Sequence, residues 1–261
     1  MSPPPARGGS PPARGGASRF LETLARRRTD ATPVWLMRQA GRYLPEYRRV
    51  RARASILDIC ARPELAAEVT LQPIRRFKLD AAILFADLLL PAPPMGLKLD
   101  YRAGEGPVLE PAVRDLGAVR RLKRFDPRRS LGHVLAAVRL VRRELEGTGV
   151  ALIGFAGAPF TLASYLIEGG PSRDYLKTKA LMRTEAWAPL MDLLAEVTAD
   201  YLRAQAEAGA QALQLFDSWA GALSPADYRR YSLPWSRRVF KALERSGVPA
   251  IHFGTGTAGF L

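Results

Sequence analysis

The chain has 261 residues, 48% of them hydrophobic and 25% charged, enough for one large α/β domain or two small ones. No run reaches the roughly 18 apolar residues of a membrane span, the first residues lack the apolar core of a secretory signal, and a lone cysteine, Cys60, rules out an internal disulfide or a multi-cysteine metal site. The net charge of +14 comes from arginines dispersed along the chain, with no interleaving of basic and aromatic residues such as a single-strand groove needs. A cytoplasmic enzyme with a solvated basic surface, binding neither nucleic acid nor membrane, is the expectation. A polyanionic small substrate is the best functional use for the remaining charge.

Residues 2–17 repeat Pro-Pro-Ala-Arg-Gly-Gly imperfectly, a composition that cannot offset its ordering entropy, so a disordered tail over 1–17 is expected ahead of one folded unit, 18–261. A short helix over Arg19 to Arg27 opens that unit. Apolar runs of strand length follow at Pro33–Met37, Ala81–Ala86, Ala151–Phe155, Ala212–Phe216 and Ala250–Phe253. Between the first pairs, Leu97–Glu110 alternates around Gly104 and Gly106 and predicts a hairpin. Leu131, Val134, Leu135, Val138 and Leu145 share one helical face; Leu190, Leu194, Val197 and Tyr201 share another, with Gly209 placed to end the second helix. Ser224 and Pro225 form a helix start, and the Gly247-Val-Pro stretch ends that helical region. Strands alternating with helices argue for a parallel sheet wrapped by helices, either an open doubly wound sheet or a (β/α)8 barrel. The barrel is favoured because Arg38, Asp87, Gly157, Asp217 and Ser218 all follow the C-terminal ends of the expected strands.

Arg38 and Arg42 flank the small linker Gln39, Ala40 and Gly41 on one short loop. Two guanidiniums so placed suit carboxylate or phosphate, with Gly41 permitting a tight turn; a plain arginine-rich surface loop is the alternative reading. Arg48, Arg49, Arg51 and Arg53 read as an exposed helix face. Asp87 ends an apolar run, where a carboxylate must find donors or have its ionisation suppressed; a turn or cap aspartate is the bland alternative. The glycine-laced stretch from Gly154 into a helix at Pro159 could present a helix N-terminus to an anion. Tyr165, one to two turns further, reads from spacing as a packing residue. Ser218 lacks a nucleophile-elbow setting and reads as a hydrogen-bonding group. His133 belongs on a helix surface and His252 in a core or barrel interior. Gly254, Gly256 and Gly259 fit the dinucleotide pattern but are followed by only two residues, so a nicotinamide cofactor is set aside.

The ten residues from Arg38 to Tyr47 (Arg-Gln-Ala-Gly-Arg-Tyr-Leu-Pro-Glu-Tyr) are similar to the signature of the uroporphyrinogen decarboxylases. So are Phe85 to Asp87, the stretch Gly154 to Thr161 with Tyr165 and Glu168 to Gly170, and Leu215 to Ser218, in the family's order. The resemblance implies a (β/α)8 barrel, usually a homodimer, that needs neither metal nor organic cofactor. It implies removal of carbon dioxide from the four acetate side chains of uroporphyrinogen III, giving coproporphyrinogen III for haem and chlorophyll synthesis. On that resemblance Arg38 and Arg42, with the Gln39, Ala40 and Gly41 linker, would bind substrate carboxylates. Asp87 would accept hydrogen bonds from pyrrole N–H groups and stabilise the cation formed on protonating a pyrrole carbon. Tyr165 and Ser218 would contact substrate or support Asp87, and Arg38 is a hypothesis for the proton donor.

One departure carries weight. Five expected strands stand against the eight of a closed barrel, and the family's late functional histidine has no counterpart in His133 or His252. The expectation is a barrel with about five of eight βα units, with exposed strand edges and impaired activity unless a second chain completes it. The alternatives are an inactive tetrapyrrole-binding or dimerising fragment and, further off, a barrel methyltransferase relative whose zinc ligands Cys60 alone could not supply.

Overall fold

The computed structural model describes residues 18–37, 39–102 and 106–260; the expected tail over 1–17, Arg38 and the hairpin tip at Gly104 lie outside the described residues. Helix starts follow local chemistry. After the short α1 (Arg19–Leu24), α2 (Pro45–Arg51) and α4 (Pro63–Arg76) open on prolines, whose missing N–H is not needed in a first turn. Between them α3 (Ile56–Ala61) opens on a capping box: Ser55 Oγ accepts from the Asp58 N–H at 3.0 Å, and the Asp58 carboxylate accepts from the Ser55 N–H at 2.9 Å. Strand β1 (Ala81–Ile83) leads to an antiparallel hairpin, β2 (Lys98–Arg102) and β3 (Gly106–Glu110), as the alternation predicts.

The short helices α5 (Leu116–Arg121) and α6 (Pro127–Ser130) lead into α7 (Gly132–Glu144), which buries the predicted stripe. Strand β4 (Ala151–Gly157) passes into α8 (Pro159–Glu168), and α9 (Leu176–Leu181) precedes the long α10 (Trp187–Glu207). Gly209 follows α10 with φ 118°, a value open to glycine and strained for other residues. Then come β5 (Ala212–Asp217), α11 (Pro225–Tyr231), capped by Ser224 as expected, α12 (Leu233–Leu243) and β6 (Ala250–Gly254).

The four strands β1, β4, β5 and β6 lie side by side in chain order, all parallel, with Ala81 opposite Ala151, Ile153 opposite Ala212 and Leu213 opposite Ala250. Every residue of β4 and β5 is buried, as in a sheet covered on both faces. Ala82, Leu152, Leu213 and Leu215 face the layer made by α4, α7 and α10. Ala81, Ala151, Ile153 and Ala212 face the other way, closed at the N-terminal end of the strands by Phe20 of α1.

Three expectations change. The run Pro33–Met37 lies beside β1 but forms no strand. It takes one backbone bond, from the Asp80 N–H to the Val34 carbonyl at 2.8 Å, while the Val34 N–H donates to the Asp80 carboxylate at 2.7 Å. Asp80 is itself fixed by the Arg19 guanidinium at 2.8 Å, so a side chain replaces the ladder there. Val34, Leu36 and Met37 consequently stay 41–50% exposed along that edge.

His252, expected in a core or barrel interior, is instead exposed: strand parity turns it to the helical side, where the Phe240 ring centroid of α12 lies 5.5 Å away and its Nε2 is 3.6 Å from the Asp217 carboxylate. The stretch Gly154 to Gly157 is strand and not loop. A Cβ on Gly154 would sit 2.8 Å from Gln205 Oε1 and one on Gly157 2.7 Å from Leu162 Cδ2, so these glycines let α10 and α8 pack closely on the sheet.

Candidate active site

Where β1 ends, the chain turns away from the sheet and a cavity of about 370 Å³ opens at the C-terminal ends of the strands. Its apolar walls include Ile83, Phe85, Phe155 and Phe216, the last two packed edge to face with centroids 5.4 Å apart. Asp87 is the charged side chain among the described residues that line it; Tyr101, Tyr165, Ser218 and Gln39 add polar groups. Strand ends of parallel sheets are where barrel and open-sheet enzymes both gather their chemistry.

Local bonds set the position of Asp87. The Leu84 N–H donates to the Ile153 carbonyl at 3.1 Å, and the Phe85 N–H to Thr70 Oγ1 of α4 at 2.8 Å, which draws the chain off the sheet. Asp87 Oδ1 then accepts from the Leu89 N–H at 2.8 Å, an Asx turn. Asp87 is thus a turn aspartate, as the bland reading had it, and it also lines the cleft. Asp87 Oδ2 accepts from the phenol of Tyr101. Burial pushes the Asp87 carboxyl above the ordinary carboxylate range, and these two donors hold it back.

A second segment bordering β1 on the cleft side begins with Gln39. Its amide donates to the Ala81 carbonyl at 3.2 Å and its Oε1 accepts from the Leu36 N–H at 3.1 Å. Gln39 thus borders the cleft with its amide committed to bridging Leu36 and Ala81 of β1. Ala40 also lines the cleft. Gly41 and Arg42 do not: Arg42 is exposed, with its carbonyl accepting from Arg48 Nη1 at 2.8 Å, and Gly41 opens a turn closed by the Leu44 N–H on its carbonyl at 3.0 Å, with no left-handed φ. Arg38 lies outside the described residues.

Ser218 and Tyr165 both face the cleft. The Tyr165 ring also packs on Trp219, and Trp219 on Tyr175, each pair at 5.6 Å. Asp217, one residue before Ser218, points the opposite way and is fully buried. It accepts from Thr161 Oγ1 at 3.0 Å and from Ser232 Oγ at 3.3 Å. The first turn of α8, expected to be open to an anion, is buried, and the carboxylate it meets is the chain's own Asp217. His133 is half-buried on α7, where desolvation lowers its pKa, and does not line the cleft.

Sequence reasoning missed Tyr101. Its signal lay in the hairpin alternation: Leu97 and Leu99 are buried, Lys98 and Asp100 exposed, and Tyr101 falls on the buried parity.

A parallel sheet backed by helices, with an apolar cleft that holds the Asp87 carboxylate at its strand ends, fits the (β/α)-barrel class. In fold it is similar to a solved methyltransferase from Methanosarcina mazei, with a TM-score of 0.70 at 22% identity, covering 92% of this chain and 70% of that one. The family profile described as Uroporphyrinogen decarboxylase (URO-D) matches residues 16–261. The uroporphyrinogen decarboxylase of Sorangium cellulosum is 57% identical over 93% of this chain and 70% of the relative. That of Syntrophotalea carbinolica is 54% identical over 93% and 70%, and that of Streptomyces coelicolor 52% identical over 100% and 73%. The chain belongs to the uroporphyrinogen decarboxylase family.

Proposed function

We propose that the cleft binds uroporphyrinogen III and that the chain removes carbon dioxide from its four acetate side chains, giving coproporphyrinogen III. The observation that carries this reading is the Asp87 carboxylate: half-buried, fixed by two protein donors, and set in an apolar cleft at the strand ends. Its remaining lone pairs are free to accept pyrrole N–H groups. Protonation of a ring carbon gives a cation beside this carboxylate. The electrons of the acetate C–C bond then flow into the ring as carbon dioxide leaves, a solvent-derived proton completes the methyl group, and the ring carbon gives back its proton to restore the pyrrole. A negative charge preorganised in an apolar site stabilises that cation more than water would.

Arg38 and Arg42 take substrate carboxylates in this proposal, Arg42 from the rim and Arg38 also as proton donor. Gln39, Ala40 and Gly41 shape the approach from that side, and Tyr165 and Ser218 contact the substrate from the opposite wall. A homodimer in the cytoplasm belongs to the same reading. Support comes from family membership and from the four polar groups that converge on the cleft.

Anaerobic incubation with uroporphyrinogen III, followed by oxidation and chromatography, tests it. Stepwise loss of carboxylates is expected, with Asp87→Ala slower by about 100-fold or more. Tight binding without turnover would favour a non-catalytic tetrapyrrole-binding protein, and turnover that survives Asp87→Ala would remove Asp87 from the chemistry.

A further inference from the structure

We propose that Tyr101 is a positioning residue, which holds the Asp87 carboxylate in the one orientation that leaves a lone pair on each oxygen for the ligand's N–H donors. The inference rests on the reading of Asp87 as the ligand-binding carboxylate.

An aspartate carboxyl rotates in a broad, two-fold well, so one hydrogen bond to one oxygen leaves its plane loosely set. Asp87 has that one bond from its own turn, the Leu89 N–H on Oδ1 at 2.8 Å. The second comes from outside the turn. Tyr101 sits on β2, directly opposite Pro107 of β3, and both residues line the cleft. The hairpin therefore delivers a phenol to Oδ2 from the side opposite the Asx turn. An ionised carboxylate offers about four acceptor directions, so two remain. With both plane and occupancy fixed, those two point where the protein does not.

The phenol is also a dependable donor. Burial and the adjacent Asp87 raise its pKa, so it keeps its proton at any pH the enzyme meets. The other titratable groups facing Asp87 stay neutral over the same range. The Cys60 thiol of α3 is pushed up to about 12 by burial, and the fully buried Tyr201 phenol of α10 is raised as well. Tyr165 of α8 shares the cleft wall, and Arg38 lies outside the described residues. Among the described residues lining the cleft, Asp87 is the carboxylate, so it is the group whose titration the phenol is placed to move.

The test uses Tyr101→Phe, which removes one oxygen and leaves the ring that packs in the hairpin. The chain is labelled with 13C at aspartate carboxyl carbons, and the Asp87 signal is assigned by its loss in Asp87→Asn. Its titration midpoint is then compared between the parent and Tyr101→Phe. Loss of a donor to the charged form should raise the midpoint by about one pH unit. In turnover of uroporphyrinogen III, the acid limb of the kcat/KM profile should move up in pH by the same amount. An unchanged or lowered midpoint would overturn the proposal. So would a loss of activity that is uniform across pH, the signature of a hairpin that merely packs. The carboxyl titration needs no turnover, so failure of the decarboxylase reading would show separately, as a Tyr101→Phe midpoint that shifts as expected beside a parent that consumes no substrate.

Discussion

Replacing Gln205 by leucine strikes a place where a helix side chain completes the sheet. Odd-numbered residues of β4 turn their amides toward β1, as the bonds from Ala151 to Asp80 and from Leu84 to Ile153 show. Beyond Leu84 the first strand has left, and Phe155 has no strand partner on that side. Gln205 of α10 supplies both bonds: its Oε1 accepts from the Phe155 N–H at 2.9 Å, and its Nε2 donates to the Phe155 carbonyl at 2.8 Å. Gln205 is fully buried, so no water replaces a lost amide without rearrangement. Two orphaned backbone groups cost about 1–3 kcal/mol each, and the leucine side chain returns about 1–2 kcal/mol of apolar burial. The net loss is then centred on about 2.5 kcal/mol, a large share of the roughly 5–15 kcal/mol that holds a domain together. In urea, monitored by tryptophan fluorescence, the midpoint should fall by about 1 M if m is about 3 kcal/mol/M. Gln205→Glu should fall between the two, since a carboxylate accepts from the N–H but cannot donate to the carbonyl. A shift under about 0.2 M for the leucine variant would show that Phe155 is satisfied in some other way and would refute the account of how β4 outlasts β1.

Asp87→Asn should abolish turnover yet raise the melting temperature at pH 7. A carboxyl whose folded pKa is raised binds its proton more tightly in the folded state, so the folded form is penalised once pH exceeds the unfolded value near 3.9. The difference in melting temperature between parent and variant should therefore close as pH falls below about 4. Gly154→Ala should cost about 1–3 kcal/mol in the same urea assay, because its Cβ would press on Gln205 at 2.8 Å and on the Ala210 Cβ at 3.0 Å. Ser224→Ala should cost about 1 kcal/mol, through loss of the cap that accepts from the Asp227 N–H at 3.1 Å.

Much of this architecture could be read from local pattern. Ala81, Ala151, Ala212 and Ala250 each begin both an apolar run and a strand, and the helical stripes on α7 and α10 are buried as their spacing implied. Asp87 was legible because an ionisable residue closing an apolar run must be answered by donors. The misreadings share a cause, which is that pairing partners are not local. Pro33–Met37 has strand composition, but Asp80 uses its side chain where a strand would offer a ladder. His252 could not be assigned a face without the register that sets it beside Leu215. The glycines at 154 and 157, read in sequence as part of a stretch leading to an anion-facing helix N-terminus, serve helix-to-sheet contact in space. Tyr101 joins the cleft only because the hairpin folds back over a residue fourteen positions earlier.

The most direct test of the central claim is turnover of uroporphyrinogen III in deuterium oxide, with the oxidised product read by mass spectrometry. If carbon dioxide leaves each acetate and solvent supplies the replacing proton, each of the four new methyl groups carries one deuteron, and Asp87→Asn yields no labelled product. Intact, unlabelled substrate recovered from the folded parent chain, or equal labelling by Asp87→Asn, would contradict it.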